Sequence, residues 1–278
     1  MNPNGPHGPR PTIGLALSGG TAKVITHIGV LRAFEEAGLR PTVLTGTSGG
    51  SLIGVLYAAG LSIQELTGLA NNVNWRRLAT IRLPKLGFLS SGRIEDFVRE
   101  FVGDTCFEDL NIPTHVVATN LLTGDKTVFS HGPVARAVRA SCSIPQIFSP
   151  VEIDGGLYSD GGVVEYLPIE TLMEHPCDIR VGVHLGAYLD FSQPPQHLVG
   201  LILRVLGVVA QRNARASAAL ADVVVRPNMR GFGGFDLNRA AEMIDVGYRA
   251  GLEAVDEVER IWAERQRGWW ARVRDRVL

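Results

Sequence analysis

Thr42-Val43-Leu44-Thr45-Gly46-Thr47-Ser48-Gly49-Gly50-Ser51-Leu52-Ile53-Gly54-Val55-Leu56 is the stretch that decides the fold. Thr42 to Thr45 is a short β-favouring run, three glycines then surround one serine, and Ser51 to Ala59 follows as an apolar helical pattern that stops at Gly60. Gly46-x-Ser48-x-Gly50 is the pattern of a serine carried on a sharp strand-to-helix turn, where flanking glycines let the backbone fold tightly beneath the hydroxyl. The start of the helix adds backbone N–H groups and the positive end of a dipole beside Oγ. Ser48 is therefore the candidate nucleophile, and a plain tight turn in which it only caps the helix is the structural alternative.

Upstream, the apolar run Ile13 to Leu17 meets Ser18-Gly19-Gly20, and a helical pattern continues through Leu39. The strand-turn-helix unit thus occurs twice in succession. Downstream, Ser62-Ile63-Gln64-Glu65 is a capping box opening another helix. Gly92 to Val102 and Pro133 to Ala140 read as helices, with residues 71–90 irregular. His115 to Asn120 and Thr127 to Ser130 read as strands about a turn. Val151 to Ile153 and Leu157 to Ser159 flank Asp154-Gly155-Gly156, a hairpin signal because Asp-Gly suits turns with positive φ. Short apolar runs at Arg180 to Leu185 and Val223 to Arg226 enclose a long helix at Leu198 to Ala219, and Arg239 to Arg265 is a final amphipathic helix. Such alternation predicts an α/β fold with a mostly parallel central sheet covered by helices on both faces.

If Ser48 attacks a carbonyl, donors must be aimed at the oxygen that becomes negative. Ser18-Gly19-Gly20-Thr21 lies at the carboxyl end of the first strand, and a neighbouring parallel strand would bring it beside Ser48. Gly19, Gly20 and Thr21, with Gly49 at the helix start, are the candidate oxyanion hole. Lys23, one turn further on, suits either an anionic head group or solvent. For the base, none of the seven histidines carries a recognisable local signature. A Ser-His-Asp order usually has several strands before its elbow, whereas one βα unit precedes Ser48 here. Asp160-Gly161-Gly162 follows a short strand and is the better candidate, since a partly buried carboxylate can take a serine proton directly. Its twin Asp154-Gly155-Gly156 is explained by the hairpin tip. A Ser-His-Asp triad stays open as the second mechanism.

Composition narrows the partners. The chain has 278 residues, is 45% hydrophobic and 20% charged, and has a net charge of -1, so it suits a folded enzyme-sized body and offers no basic field for nucleic acid. Neither glycine turn fits G-x-G-x-x-G, and no G-x-x-x-x-G-K-[ST] occurs, which argues against nucleotide binding. The three cysteines, Cys106, Cys142 and Cys177, lack zinc or redox spacing and read as reduced thiols. No cofactor or metal is expected. Residues 1–11 read as a flexible tail, 12–266 as one hydrolase domain, and 267–278 as a basic and aromatic tail, with a cytoplasmic location as the default. The uncharged Pro41 to Gln64 is interrupted by its glycine turn, and Leu198 to Ala210 is short and contains Arg204, so neither reads as a membrane span; the latter suits a core helix or an interface helix. The tail pairs Trp262, Trp269 and Trp270 with five arginines, which suits peripheral contact with a membrane surface or packing on a neighbouring subunit in a homo-oligomer.

Taken together, the ordered blocks resemble the bacterial patatin-like phospholipases, including relatives of the neuropathy target esterase catalytic domain. The resemblance runs from about Ile13 to Val258. Leu15 to Gly20 with His27-Ile28-Gly29-Val30-Leu31 is similar to the family's oxyanion block, and Gly46 to Gly50 to its nucleophile block. Ala118 to Gly124 and Arg139 to Pro145, continuing to Phe148 and Pro150, resemble internal blocks, and Asp160-Gly161-Gly162 with Leu167-Pro168 resembles the base block. The resemblance implies a three-layer α/β/α fold and a Ser48-Asp160 dyad that cleaves acyl esters of lipids through an acyl-enzyme. Thr21 stands where the family usually has a third glycine, Val24 where it often has glycine, and Glu165 where it usually has asparagine. These departures motivate the alternative of a catalytically weak relative serving as a binding or regulatory module.

Overall fold

The apolar runs assemble as the alternation requires. A computed structural model describes residues 10–74, 78, 80–81, 87–186, 194–196, 198–234 and 236–277, with backbone alone for 80, 81, 87, 88, 199 and 268–277. Strand β1 (Ile13–Leu17) is buried along its whole length, and a 3-10 turn at Thr21–Ile25 leads into helix α1 (Thr26–Glu36). Strand β2 (Pro41–Thr47) and helix α2 (Gly49–Ala58) meet at Ser48, and α3 (Ile63–Asn72) follows with its Ser62/Glu65 capping box in place. Two short strands, β3 (Thr80–Ile81) and β4 (Gly87–Ser90), precede α4 (Gly92–Val102). Then come β5 (Thr114–Asn120), β6 (Lys126–Phe129), α5 (Val134–Ser141), β7 (Gln146–Phe148), β8 (Val151–Ile153) and β9 (Gly156–Asp160). The chain closes with α6 (Ile169–Met173), β10 (Ile179–Val183), α7 (Leu198–Ala218), β11 (Val223–Val225) and α8 (Ala240–Val277).

The main sheet has the order β11-β10-β1-β2-β5-β9-β8, with β6 also on β5. From β11 to β5 every pairing is parallel, and the β6, β8 and β9 pairings are antiparallel. Side-chain alternation along β1 separates two layers. Ile13, Leu15 and Leu17 join the core made with α1, α2, α3 and α8, whereas Ala16 joins the opposite core with Leu167, Ile169 and Leu172 and with Ala210, Ala214 and Ala218 of α7. The result is an α/β sandwich.

One feature of register positions the site. β2 covers Thr114 to Val117 of β5, β9 covers Ala118 to Asn120, and β6 covers Val116 to Thr119. Because β6 overlaps both, β2 and β9 must lie end to end along the other edge of β5. Thr47 stands opposite Val117 and Asp160 opposite Ala118, so the last residue of each strand arrives at adjacent register positions.

Several boundaries differ from the sequence reading. The stretch read as irregular contributes β3 and β4, which form a small second sheet in the order β3-β4-β7; strands of two to four residues leave too little pattern to recognise. The helical pattern after Gly20 is split into a 3-10 turn and α1, and the final helix runs on to Val277. Trp262 packs against the first core. The expected tail at 1–11 falls largely outside the described residues, as do the side chains of Trp269, Trp270, Arg272, Arg274 and Arg276.

Candidate active site

Ser48 sits at φ 53° and ψ -133°, a region costly for a residue with a side chain. Something must hold it there, and hydrogen bonds from three directions do. Its N–H donates to Ser141 Oγ at 2.8 Å, and that hydroxyl donates onward to the Val117 carbonyl at 2.6 Å. Its carbonyl accepts from Ser51 Oγ at 2.6 Å and from the Ser51 N–H at 2.8 Å. Thr47, just before it, donates its hydroxyl to the Glu165 carbonyl at 2.7 Å. Gly50 permits the tight passage, since a Cβ there would overlap the Leu17 carbonyl oxygen of β1.

Asp160 is held with similar care. Its N–H donates to the Ser143 carbonyl at 2.9 Å, its carbonyl accepts from Thr119 Oγ1 at 2.8 Å, and its Oδ1 accepts from the Gly162 N–H at 2.7 Å. Burial pushes its carboxyl up to about pKa 6, while hydrogen bonding by Ser48 and by the Gly162 N–H pulls the other way. Oδ2 is buried and makes no hydrogen bond of good geometry among the described residues, although Ser48 lies near enough to draw the pKa down. Resting-state contacts of this kind are commonly long and tighten when a reactant arrives. Both residues are 7% exposed and line one cavity of about 200 Å³ together with Gly20, Thr21 and Lys23. Burial lowers the pKa of Lys23 as well. A second cavity of about 320 Å³ also reaches Ser48 and Gly49, and its walls are apolar side chains from α2, α3 and α4, among them Leu56, Leu66, Ala70 and Phe97.

The glycine turn arrives beside the serine as the parallel β1-β2 pairing requires: a Cβ on Gly19 would stand 3.3 Å from Ser48 Cβ. Of the four expected oxyanion donors, Gly19 is otherwise engaged, because its N–H donates to the Tyr166 carbonyl at 3.2 Å. The N–H groups of Gly20, Thr21 and Gly49 take no hydrogen bond among the described residues. The turn itself is held by His27, whose Nε2 donates to the Ser18 carbonyl at 2.8 Å.

The patatin-like phospholipase family model matches residues 15–173 of this chain. The chain belongs to that family. An NTE family protein of Mycobacterium bovis is 36% identical over 179 residues, 63% of this chain and 49% of that protein. Lysophospholipase NTE1 of Kluyveromyces lactis is 27% identical over 89% of this chain and 19% of its own length. The chain therefore spans about half the length of the first of these relatives and a fifth of the second. Among solved structures, VipD from Legionella pneumophila superposes with a TM-score of 0.62 at 14% identity, covering 90% of this chain and 67% of VipD. The type III effector ExoU of Pseudomonas aeruginosa gives 0.51 at 15% identity, covering 90% and 54%. Identities this low show the shared patatin-like fold alone.

Within that fold the three departures have local accounts. Thr21 adopts φ 49°, where glycine is the easy choice, and its Oγ1 donates to the Gly20 carbonyl at 2.8 Å. Val24 packs its methyls against Gly49, where an added Cβ would lie 2.6 Å from Val24 Cγ1. Glu165 is buried but fully partnered, by Lys126 Nζ at 2.9 Å, Thr171 Oγ1 at 2.6 Å and the Thr171 N–H at 3.1 Å. Among the described residues, no histidine lines either cavity at Ser48. His27 is fully buried, pushed down to about pKa 4 by that burial against the opposing pull of the Ser18 carbonyl, and so is neutral. His7 and His197 lie outside the described residues. Cys142 lines the larger cavity, and burial first, then the Asp160 charge, raises its pKa, so its thiol stays protonated. Ser141, Ser143 and Asn213 act near the site without having been read as functional. The Ser141 and Ser143 block was visible in sequence, but its purpose depends on strands far apart in the chain.

Proposed function

We propose that this chain hydrolyses carboxylic esters of lipids through a Ser48-Asp160 dyad. Asp160 Oδ2 takes the hydroxyl proton as Ser48 Oγ bonds to the ester carbonyl carbon. The oxygen that becomes negative is met by the N–H groups of Gly20, Thr21 and Gly49, each donor of this kind contributing roughly 3 kcal/mol. Collapse breaks the bond to the alcohol, which leaves with the proton from Asp160. Asp160 then deprotonates a water that attacks the acyl-Ser48 ester, and the carboxylic acid departs as Ser48 regains its proton. The apolar cavity suits the acyl chain, with each buried CH₂ worth about 0.8 kcal/mol. The smaller cavity, with Lys23 in its wall, suits the alcohol and its head group.

The observation that carries the reading is the register on β5, where the strand leading into Ser48 and the strand ending in Asp160 finish opposite adjacent residues, beside a cavity that Ser48 and Asp160 both line. The yeast relatives are named as lysophospholipases, and a one-chain ester fits one apolar cavity. The test is hydrolysis of a p-nitrophenyl acyl ester and of a lysophospholipid, with fluorophosphonate labelling. Ser48→Ala should abolish both turnover and labelling; full activity in that variant would refute the proposal. A catalytically weak binding module, the reading favoured by the Thr21 side chain in the glycine turn, would instead show slow labelling of the unaltered protein.

A further inference from the structure

Helix α7 forms one wall of the cavity that holds Ser48 and Asp160, to which it turns Leu203, Leu206, Gly207 and Ala210. Its other face has no task in hydrolysis. There Leu198, Leu201, Val205, Val208 and Val209 stand between 38% and 71% exposed. Their spacing of three and four places them in one row. At 1.5 Å per residue the row is roughly 17 Å long. Isolated surface leucines need no explanation, but a contiguous apolar row marks a contact surface. The same helix carries Arg204, Arg212 and Arg215 and no acidic residue from 198 to 218.

The far end of α7 is fixed to the catalytic turn. Ala210, Ala214 and Ala218 are buried in the core with Leu167, Ile169 and Leu172. Asn213 Nδ2 donates to the carbonyls of Gly162 at 3.1 Å and Val163 at 3.3 Å, and its Oδ1 accepts from the Tyr166 N–H at 3.0 Å. The row therefore keeps a fixed relation to Asp160. We propose that this face of α7 is a docking surface for an anionic lipid bilayer, setting the wall of the reaction cavity against the interface where a lipid ester lies. The proposal rests on the lipid-ester reading above. Apolar side chains in one row with arginines and no carboxylates are the composition of a helix lying in the headgroup region. A second copy is the poorer occupant, because two such helices facing each other would oppose arginine to arginine with no carboxylate on either. Among the described residues no helix is long and apolar enough to cross a membrane, so the contact is peripheral.

The test is flotation of the full chain, and separately of its Ser48→Ala form, with vesicles of phosphatidylcholine alone or mixed with phosphatidylglycerol. Both forms should float with the mixed vesicles and less with phosphatidylcholine, and salt should weaken the binding. L201D/V205D should lower the partition at least about tenfold, as expected when two large apolar side chains leave the interface. It should also lower the ratio of turnover on vesicle-borne ester to turnover on a soluble ester. Leu252→Asp, on α8 and 41% exposed, should leave the partition within about twofold. If circular dichroism shows the double aspartate variant unfolded, L201A/V205A replaces it and should still lower the partition. Equal flotation of the parent and the row variants overturns the proposal, as does a parent that ignores anionic vesicles. A row variant that only converts a dimer to a monomer, with neither floating, overturns it too. Because flotation of Ser48→Ala requires no turnover, loss of the hydrolase reading would leave this result separately legible.

Discussion

Asp154-Gly155-Gly156 and Asp160-Gly161-Gly162 are one tripeptide written twice within nine residues, and the two copies do different work. The first is a two-residue hairpin loop between β8 and β9, with Asp154 at φ 48° and Gly155 at φ 80°, both in the left-handed region that such loops require. Asp154 is exposed, and nothing lies within 4 Å of a Cβ built on Gly155. In the second, Asp160 has φ -51° and a buried carboxyl, and a Cβ on Gly161 would overlap the Val117 carbonyl oxygen. The same residue types thus serve turn conformation in one place and close approach in the other. What separates them is the register of β9 on β5, which places only the second copy at the end of β2.

The largest expected difference is in activity. Asp160→Asn should lower kcat/KM by about 10²–10⁴, the usual contribution of a general base, whereas Asp154→Asn should change little. With the Asp160 carboxyl pushed up to about 6, kcat/KM in the unaltered chain should fall as pH drops through that value. Stability should move the opposite way. The folded pKa lies above the ordinary 3.8, so the folded state binds the proton more tightly, and the cost of burying the charge is absent below about 4 and fully present above about 6. At neutral pH Asp160→Asn should therefore gain about 1–3 kcal/mol in urea denaturation, a gain that should vanish in acid. Equal activity in the Asp154 and Asp160 variants would erase the distinction between the copies.

Glycine substitutions sharpen the same comparison on stability alone. Gly161→Ala forces a methyl against a backbone carbonyl that β5 cannot withdraw, and should cost about 3 kcal/mol or more. Gly155→Ala meets no atom but must hold φ 80°, and should cost about 1 kcal/mol. Urea denaturation of the pair measures both, and reversal of their order would mean that turn strain outweighs close packing here.

Much of this was legible locally. The two strand-turn-helix units, the Ser62 capping box and the Asp154 hairpin are short-range features, and each is present where its residues predict it. Ser48 and Asp160 were legible as candidates, but the register that puts both on one cavity depends on β5, which neither adjoins in sequence. Ser141 and Ser143 carry the hydrogen bonds that position the serine and the aspartate, and nothing in a serine's neighbours announces a bond to a segment 16 or more residues away. The glycine turn predicts Gly19 as a donor because such turns present N–H groups; the acceptor that occupies it, the Tyr166 carbonyl, comes from a segment whose path no local pattern fixes. Both cavities are likewise products of packing between layers.

The smallest effects concern side chains forced into the left-handed region. Thr21 at φ 49° and Asp154 at φ 48° share a backbone state but not a tolerance for it, since Asp is among the residues that adopt it readily and a β-branched Thr is not. Thr21→Gly should gain up to about 1 kcal/mol, the released strain being partly offset by the freer unfolded chain, whereas Asp154→Gly should be near neutral. The activity of Thr21→Gly then separates two roles for this side chain. If its methyl and hydroxyl only crowd the cavity they line, removing them should raise kcat/KM about threefold. If instead the bond from Oγ1 to the Gly20 carbonyl is what aims the Gly20 N–H, the same change should lower kcat/KM even as stability rises. The positive φ favours the first outcome, because glycine holds this turn without the hydroxyl's help.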